Sequence, residues 1–167
     1  RGLTTPLILT PAEFLERISQ TYQNPGEAYK LRPEVWNEFL VDGEFEYSYN
    51  ERIRRQLDPV LEELWKHPDT RQAIVEVHDG DIDIQRMGKR RIPCSMFYQF
   101  MIRDGRLDVW YVMRSSDFST HFQNDIWLAD ELRREMAQKR NLPIGKFFMT
   151  VGSLHIYQKD WNLLLNY

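Results

Sequence analysis

The chain has 167 residues and a mass of 20.2 kDa, enough for one domain (1–167) with a real core. Hydrophobic residues make up 42% and aromatic residues 13%, which argues against disorder. A net charge of −3 argues against a nucleic-acid polymer as partner. A single cysteine rules out an internal disulfide and points to a reducing, cytoplasmic setting, and no apolar run suggests a membrane span or signal peptide.

Thr10-Pro11-Ala12-Glu13 has the form of a capping box and predicts a helix start, with Phe14, Leu15 and Ile18 as its apolar stripe. Asn24-Pro25-Gly26 marks a turn. From 27 to 50 the pattern is irregular, with Trp36, Phe39, Tyr47 and Tyr49 as candidate buried aromatics. Asn50 is the expected cap of a second helix carrying Ile53, Leu57, Val60, Leu61 and Leu64, kinked at Pro59 and ended by His67-Pro68-Asp69. Arg71 to His78 reads as a strand and Asp79 to Arg91 as a polar loop. Cys94 to Arg103 and Leu107 to Met113 read as strands of a hairpin turned by Asp104-Gly105, apolar on both faces. His121 to Lys139 is the longest predicted helix, and Lys146 to Tyr157 is a strand region interrupted at Gly152. A last helix is expected to begin near Trp161. The sum is an α/β (α+β) domain with a mixed central sheet and flanking helices.

Several residues stand out for chemistry. A lone cysteine is more often a small buried hydrophobe than a nucleophile. Cys94, however, follows Pro93 and three basic residues, and Arg114 is expected on the neighbouring strand. Cations of that kind favour a thiolate. A Cys94/His155 protease pair has no local signature behind it. Arg114-Ser115 offers a planar cation and a hydroxyl suited to a phosphate, or a strand-end salt bridge to Asp117. His155 and Tyr157 lie two apart on a strand and so share a face, a pair able to hold sugar hydroxyls or merely to satisfy a sheet edge. The capping box explains Glu13 without any function. No metal-ligand pattern is visible.

In chain order, Pro93-Cys94, Arg114-Ser115-Ser116-Asp117, Asn124-Asp125 and Val-Gly-Ser-Leu-His-Ile-Tyr at 151–157 resemble the thymidylate synthase family, closest to its cytidylate 5-hydroxymethylases. The likeness runs from about Pro68 to Lys159 and is thinner upstream. It implies the thymidylate synthase-like fold, a pyrimidine nucleoside monophosphate substrate, 5,10-methylenetetrahydrofolate as one-carbon donor, and a homodimer. It implies Cys94 as nucleophile and Glu13 as catalytic carboxylate. Arg1, Arg71, Arg114 and Ser115 would hold phosphate, with Arg71 reaching the partner's site, and His155 and Tyr157 would hold the sugar. Asp117 and Trp36 would face the folate, with Tyr49 an active-site tyrosine. The pattern departs at Gln72, where the family has a second arginine, and at Ser95, where synthases usually have His. The family also has a longer stretch before the glutamate and a tail beyond the His/Tyr strand.

Counted without gaps from Arg114, Asp125 falls where synthases carry a base-reading Asn. An Asn amide matches the N3 donor and O4 acceptor of uracil. A protonated Asp donates to cytosine N3 and accepts from its amino group, and an ionised Asp holds N3-protonated cytosine. A carboxylate facing uracil O4 sets acceptor against acceptor. This reading predicts hydroxymethylation of CMP or dCMP. One gap would put Asn124 in the role and predict a dUMP synthase, and Asp125 as a first-turn helix residue favoured by the dipole is also open. The missing arginine and tail leave a third reading, a nucleotide-binding relative without turnover.

Overall fold

The computed structural model describes residues 9–86 and 91–162, with the side chains of Leu9, Thr10, Val35 and Arg86 left aside. Helix α1 (Leu9–Ile18) begins before Thr10, so the expected cap lies inside the helix. Short helices α2 (Glu27–Leu31) and α3 (Pro33–Trp36) and a small hairpin, β1 (Leu40–Val41) and β2 (Glu44–Phe45), fill the irregular stretch. The hairpin turns on Asp42 and Gly43, both at positive φ.

The predicted second helix is two helices, α4 (Tyr49–Ile53) and α5 (Leu57–Lys66). Pro59 does not kink it: it sits in the first turn of α5, where the N–H that proline lacks would have no helical partner anyway. The cap of α4 is Ser48, whose Oγ accepts from Glu51 N at 3.0 Å. Asn50, the expected cap, is buried and does other work. Its Nδ2 donates to the carbonyls of Glu16 and Ser19 at 2.7 and 2.8 Å, and its Oδ1 accepts from Gln23 N at 3.1 Å. It thereby satisfies the orphan carbonyls at the end of α1 and ties α1 to α4.

The main sheet has the order β3 (Ile74–Glu76), β4 (Ser95–Arg103), β5 (Arg106–Asp117), β6 (Ile144–His155). The first three run antiparallel, and β6 joins β5 in parallel through the crossover helix α7 (Phe122–Lys139). A single helical turn, α6 (Gly80–Asp83), occupies the predicted loop before Cys94. Gly152 does not interrupt β6; the strand runs through it, and a Cβ there would lie 2.9 Å from Arg114 O.

One sheet face is the core. Tyr98, Phe100, Leu107, Val109, Tyr111 and Met113 pack beneath Phe14 of α1, Leu57, Val60 and Leu64 of α5, and Leu128, Leu132 and Met136 of α7. The other face, expected to be buried, is open: Trp110 and Phe148 are exposed on it, and Phe97 meets the Trp110 ring edge-on at 5.8 Å. The helix expected from Trp161 has only residues 161–162 within the described part.

Candidate functional site

Strand register brings the sequence motifs to one end of the sheet. Arg114 N donates to Cys94 O at 2.8 Å, Ser115 pairs with Ser153, and Asp117 pairs with His155. The β4–β5 ladder shifts register between Ser95 and Phe97, immediately beside Cys94. Such a bulge bends the strand start away from regular pairing.

Around the Cys94 thiol, Arg114 Nη2 is 3.7 Å and Ser115 Oγ 3.8 Å from Sγ. The guanidinium is tied down by Pro93 O (2.8 Å), Ile92 O (3.2 Å) and Ser115 Oγ (3.0 Å). Among the described residues no carboxylate pairs with Arg114, so the salt bridge to Asp117 that the sequence allowed is not made; the cation is held by carbonyls and directed at the thiol.

Behind the thiol lies a chain of hydroxyls. Ser95, buried next to Cys94, shares a 2.6 Å hydrogen bond with Tyr111 OH and reaches Tyr49 OH at 3.4 Å. The Tyr98 and Tyr111 rings stack at 4.4 Å. Burial pushes the Tyr49, Tyr98 and Tyr111 phenols up, so all three are neutral at pH 7 and able to donate.

Two carboxylates close this polar pocket. Asp125, in the first turn of α7, accepts from Ser116 Oγ at 2.7 Å through Oδ2. Burial of its carboxyl raises its pKa to about 6; the Ser116 hydrogen bond and the Arg17 charge pull the other way, and Glu13 adds to the rise. Glu13, on α1, has both oxygens engaged: Arg17 Nη2 at 2.5 Å on Oε1 and Asn124 Nδ2 at 3.1 Å on Oε2. Asn124 and Asp125 therefore point into different parts of the pocket, Asn124 to α1 and Asp125 to β5.

On the far side, Asp117 is buried and accepts from Ser119 N at 3.0 Å and Ser119 Oγ at 2.8 Å. Burial disfavours its charge, but the hydrogen bonds from Ser119 and Thr120 outweigh that and hold its pKa low. His121 is kept neutral by burial, against the pull of Asp117 and Glu13, and its ring lies 6.2 Å from Trp36. The Arg91 guanidinium sits 4.9 Å from the same Trp36 ring, with Phe39, Phe45 and Tyr47 at 4.7, 5.9 and 5.6 Å. His155 and Tyr157 meet edge-on at 5.0 Å, Tyr157 being exposed.

One sequence-derived residue, Arg71, is not in this assembly. Arg1 lies outside the described residues. Arg71 precedes the edge strand β3, where its carbonyl accepts from Gln99 Nε2 at 2.8 Å. Gln99 is five residues along β4 from Cys94, about 16 Å at ~3.3 Å per residue. Sequence reasoning missed Arg17, Ser116, Tyr111, His121 and Arg91. Arg17 carried a signal in its i+4 spacing from Glu13, Arg91 in the basic run before Pro93-Cys94, and Ser116 in its place beside Arg114-Ser115.

Comparison with known proteins adds the following. The family model described as thymidylate synthase matches residues 15–166. A Methanosarcina barkeri protein named "Putative thymidylate synthase" is 30% identical over 145 residues, which cover 81% of this chain and 65% of that protein. A Methanocaldococcus jannaschii protein of the same name is 29% identical over 126 residues, covering 74% of this chain and 57% of that one. Among solved structures, thymidylate synthase from T4 phage superposes with a TM-score of 0.79 at 24% identity, covering 98% of this chain and 64% of that one. Thymidylate synthase A from Bacillus subtilis gives 0.77 at 17% identity, covering 99% and 63%. These structural likenesses establish the fold. The chain thus spans less than two thirds of the length of these four proteins.

Proposed function

This chain belongs to the thymidylate synthase family, and from that premise we propose that it is a folate-dependent pyrimidine nucleotide C5 hydroxymethyltransferase acting on CMP or dCMP. The observation that carries the reading is Asp125: a half-buried residue whose carboxyl has a pKa of about 6, held through Oδ2 by Ser116, with no hydrogen bond to Oδ1 among the described residues. An acid that is part neutral and part ionised near neutral pH suits cytosine, donating to N3 when neutral and holding N3-protonated base when charged. It opposes uracil in its ionised form.

In this reading Cys94 adds to C6 of the pyrimidine, forming a C–S bond and moving electron density to C5. Arg114 and Ser115 lie close enough to the thiol to steady it and to take the phosphate, with Arg1 and Arg71 as further phosphate ligands, Arg71 serving the partner's site. His155 and Tyr157 hold the sugar. Glu13 moves the C5 proton and orders water. Tyr49, reached by the Ser95 hydroxyl, keeps the pocket floor neutral.

The proposed cofactor region fits a flat heteroaromatic ring with an acidic tail: Trp36 and His121 form an aromatic wall, Arg91 supplies a cation, and Asp117 a fixed carboxylate. Methylenetetrahydrofolate, when bound, supplies the one-carbon unit for C5. The exposed apolar face carrying Met101, Trp110 and Phe148 supports a homodimer that pairs sheets back to back. We take residues 1–167 as one domain of such a subunit.

One observation favours a second reading, a dUMP synthase. Asn124 places an amide in the same pocket, and its Oδ1 is buried without a partner among the described residues. The test is product mass after incubation with methylenetetrahydrofolate and CMP, dCMP or dUMP separately. A gain of CH₂O on a cytosine nucleotide is expected, and methylated dUMP would establish the synthase instead. Cys94→Ser is expected to abolish exchange of the C5 hydrogen in either case, because a serine hydroxyl is a far weaker nucleophile than a thiolate. Nucleotide binding without exchange in the unsubstituted chain would mean a relative without turnover.

A further inference from the structure

Arg17 is a buried cation that none of the roles above uses. It stands on α1 with 8% of its surface exposed. Its Nη2 pairs with Glu13 Oε1 at 2.5 Å, and its guanidinium carbon lies 3.9 Å from the centre of the Tyr49 ring. Its charge also acts on Tyr98 of β4, Tyr111 of β5 and Asp125 of α7. Its Nε is buried with no hydrogen-bond partner among the described residues.

A side chain kept only for stability is poorly explained by this arrangement. Burying a guanidinium is costly unless it is paired, and an apolar residue of similar size would fill the space without that cost. An orphan Nε adds to the penalty. The placement makes sense if the charge is needed where it is. Each carboxylate of the pocket has one further partner, Asn124 for Glu13 and Ser116 for Asp125, and both of these are neutral.

We propose that Arg17 is a positioning residue of this site: it holds Glu13 through a direct ion pair while its guanidinium lies on the Tyr49 ring, so that one buried cation sets the orientation of the Glu13 carboxylate. The inference rests on the role proposed above for Glu13. The titratable and charged groups around Arg17 are Glu13 and Glu16 on its own helix, Tyr49 from α4, Tyr98 from β4, Tyr111 from β5 and Asp125 from α7. The three phenols are neutral at pH 7, and among the described residues Glu13 is the carboxylate that Arg17 pairs with directly.

The test uses the whole chain and follows exchange of the C5 hydrogen of CMP, dCMP and dUMP, which requires Cys94 attack but no one-carbon transfer. Arg17→Gln is expected to lower kcat by about 10²-fold with KM changed by no more than about threefold, as a misplaced catalytic group does. Adding Glu13→Gln to Arg17→Gln should make the enzyme no slower than Glu13→Gln alone, because Arg17 acts through Glu13. Losses that multiply would assign Arg17 to folding alone and overturn the proposal.

Arg17→Lys guards against a variant that fails to fold. It keeps the charge without the planar fork, so kcat is expected to fall about tenfold with the melting temperature nearly unchanged. A folded Arg17→Lys with the kcat of the unsubstituted chain would overturn the proposal. If the unsubstituted chain exchanges no nucleotide, both this inference and the proposed function fall. If it exchanges normally and Arg17→Gln does too, only this inference falls.

Discussion

Replacing Asp125 with Asn tests the base-reading role most directly. With a pKa of about 6, roughly one Asp125 in ten is neutral at pH 7, so recognition that needs the neutral acid gives up about 1.4 kcal/mol there. Lowering the pH from 7 to 6 brings the neutral form to about half, and kcat/KM for a cytosine nucleotide should rise about fivefold by this route. Against uracil, the carboxylate can accept from N3–H but meets O4 acceptor against acceptor, one mismatched contact worth ~1–3 kcal/mol, or some 5-fold to 150-fold. Asp125→Asn removes both effects. Its dUMP-to-CMP ratio of kcat/KM should rise by at least about fivefold, and the fivefold response between pH 7 and 6 should vanish. The assay is release of the C5 hydrogen, run at both pH values. A ratio within about twofold of the unsubstituted chain would refute the reasoning, and would shift base reading to Asn124. Stability gives an independent check. The folded pKa is raised from 3.8 to about 6, so the Asp125 contribution is fully present below 3.8 and is lost as pH rises through 6. The loss is at most about 3 kcal/mol. Asp125→Asn should therefore gain stability relative to the unsubstituted chain between pH 4 and pH 8, as measured by denaturant titration.

Ser116→Ala removes the hydroxyl that donates to Asp125 Oδ2 at 2.7 Å. It should move the pH 6 inflection upward and lower kcat/KM for the cytosine nucleotide by about 5–30-fold, from ~1–2 kcal/mol of hydrogen bond; an unmoved inflection would count against the Asp125 assignment. Gly145→Ala tests the fold. A Cβ there would meet Leu107 C and O at 2.8 Å and Asp108 Oδ1 at 2.1 Å, and Asp108 Oδ1 already accepts from Lys146 N at 2.6 Å. The start of β6 should loosen by about 1–3 kcal/mol, lowering the melting temperature by about 3–10 °C without changing base preference.

The long periodic segments were legible in the chain itself. The hairpin at Asp104-Gly105 and the helix ending at Lys139 follow from local rules, a turn dipeptide and an apolar stripe, which need no distant partner. The stretch from 27 to 56 was not. Ser48 rather than Asn50 caps α4, because Asn50 is recruited by carbonyls at the end of α1, more than thirty residues away. Pro59 begins a helix where it was expected to kink one, because Ser48 starts a separate helix upstream. The open sheet face was misjudged for a related reason: apolar residues on both faces say that something covers them, and not that this chain does.

The same division holds at the site. The order Cys94, Arg114-Ser115, Asp125, His155 is written in the sequence, because each residue sits in a short motif whose chemistry is local. That Arg114 turns to the thiol instead of pairing with Asp117 depends on where the carbonyls of residues 92 and 93 fall once β4 and β5 are aligned. Ser116 meets Asp125 because α7 folds back over β5, and Arg17 meets Glu13 on its own helix and Tyr49 because α1 packs on α4. Residue types and their order therefore determined which reactions are chemically available. Burial, which sets the charge each group carries, and long-range contacts, which set the partner each one finds, were decided only by the tertiary structure.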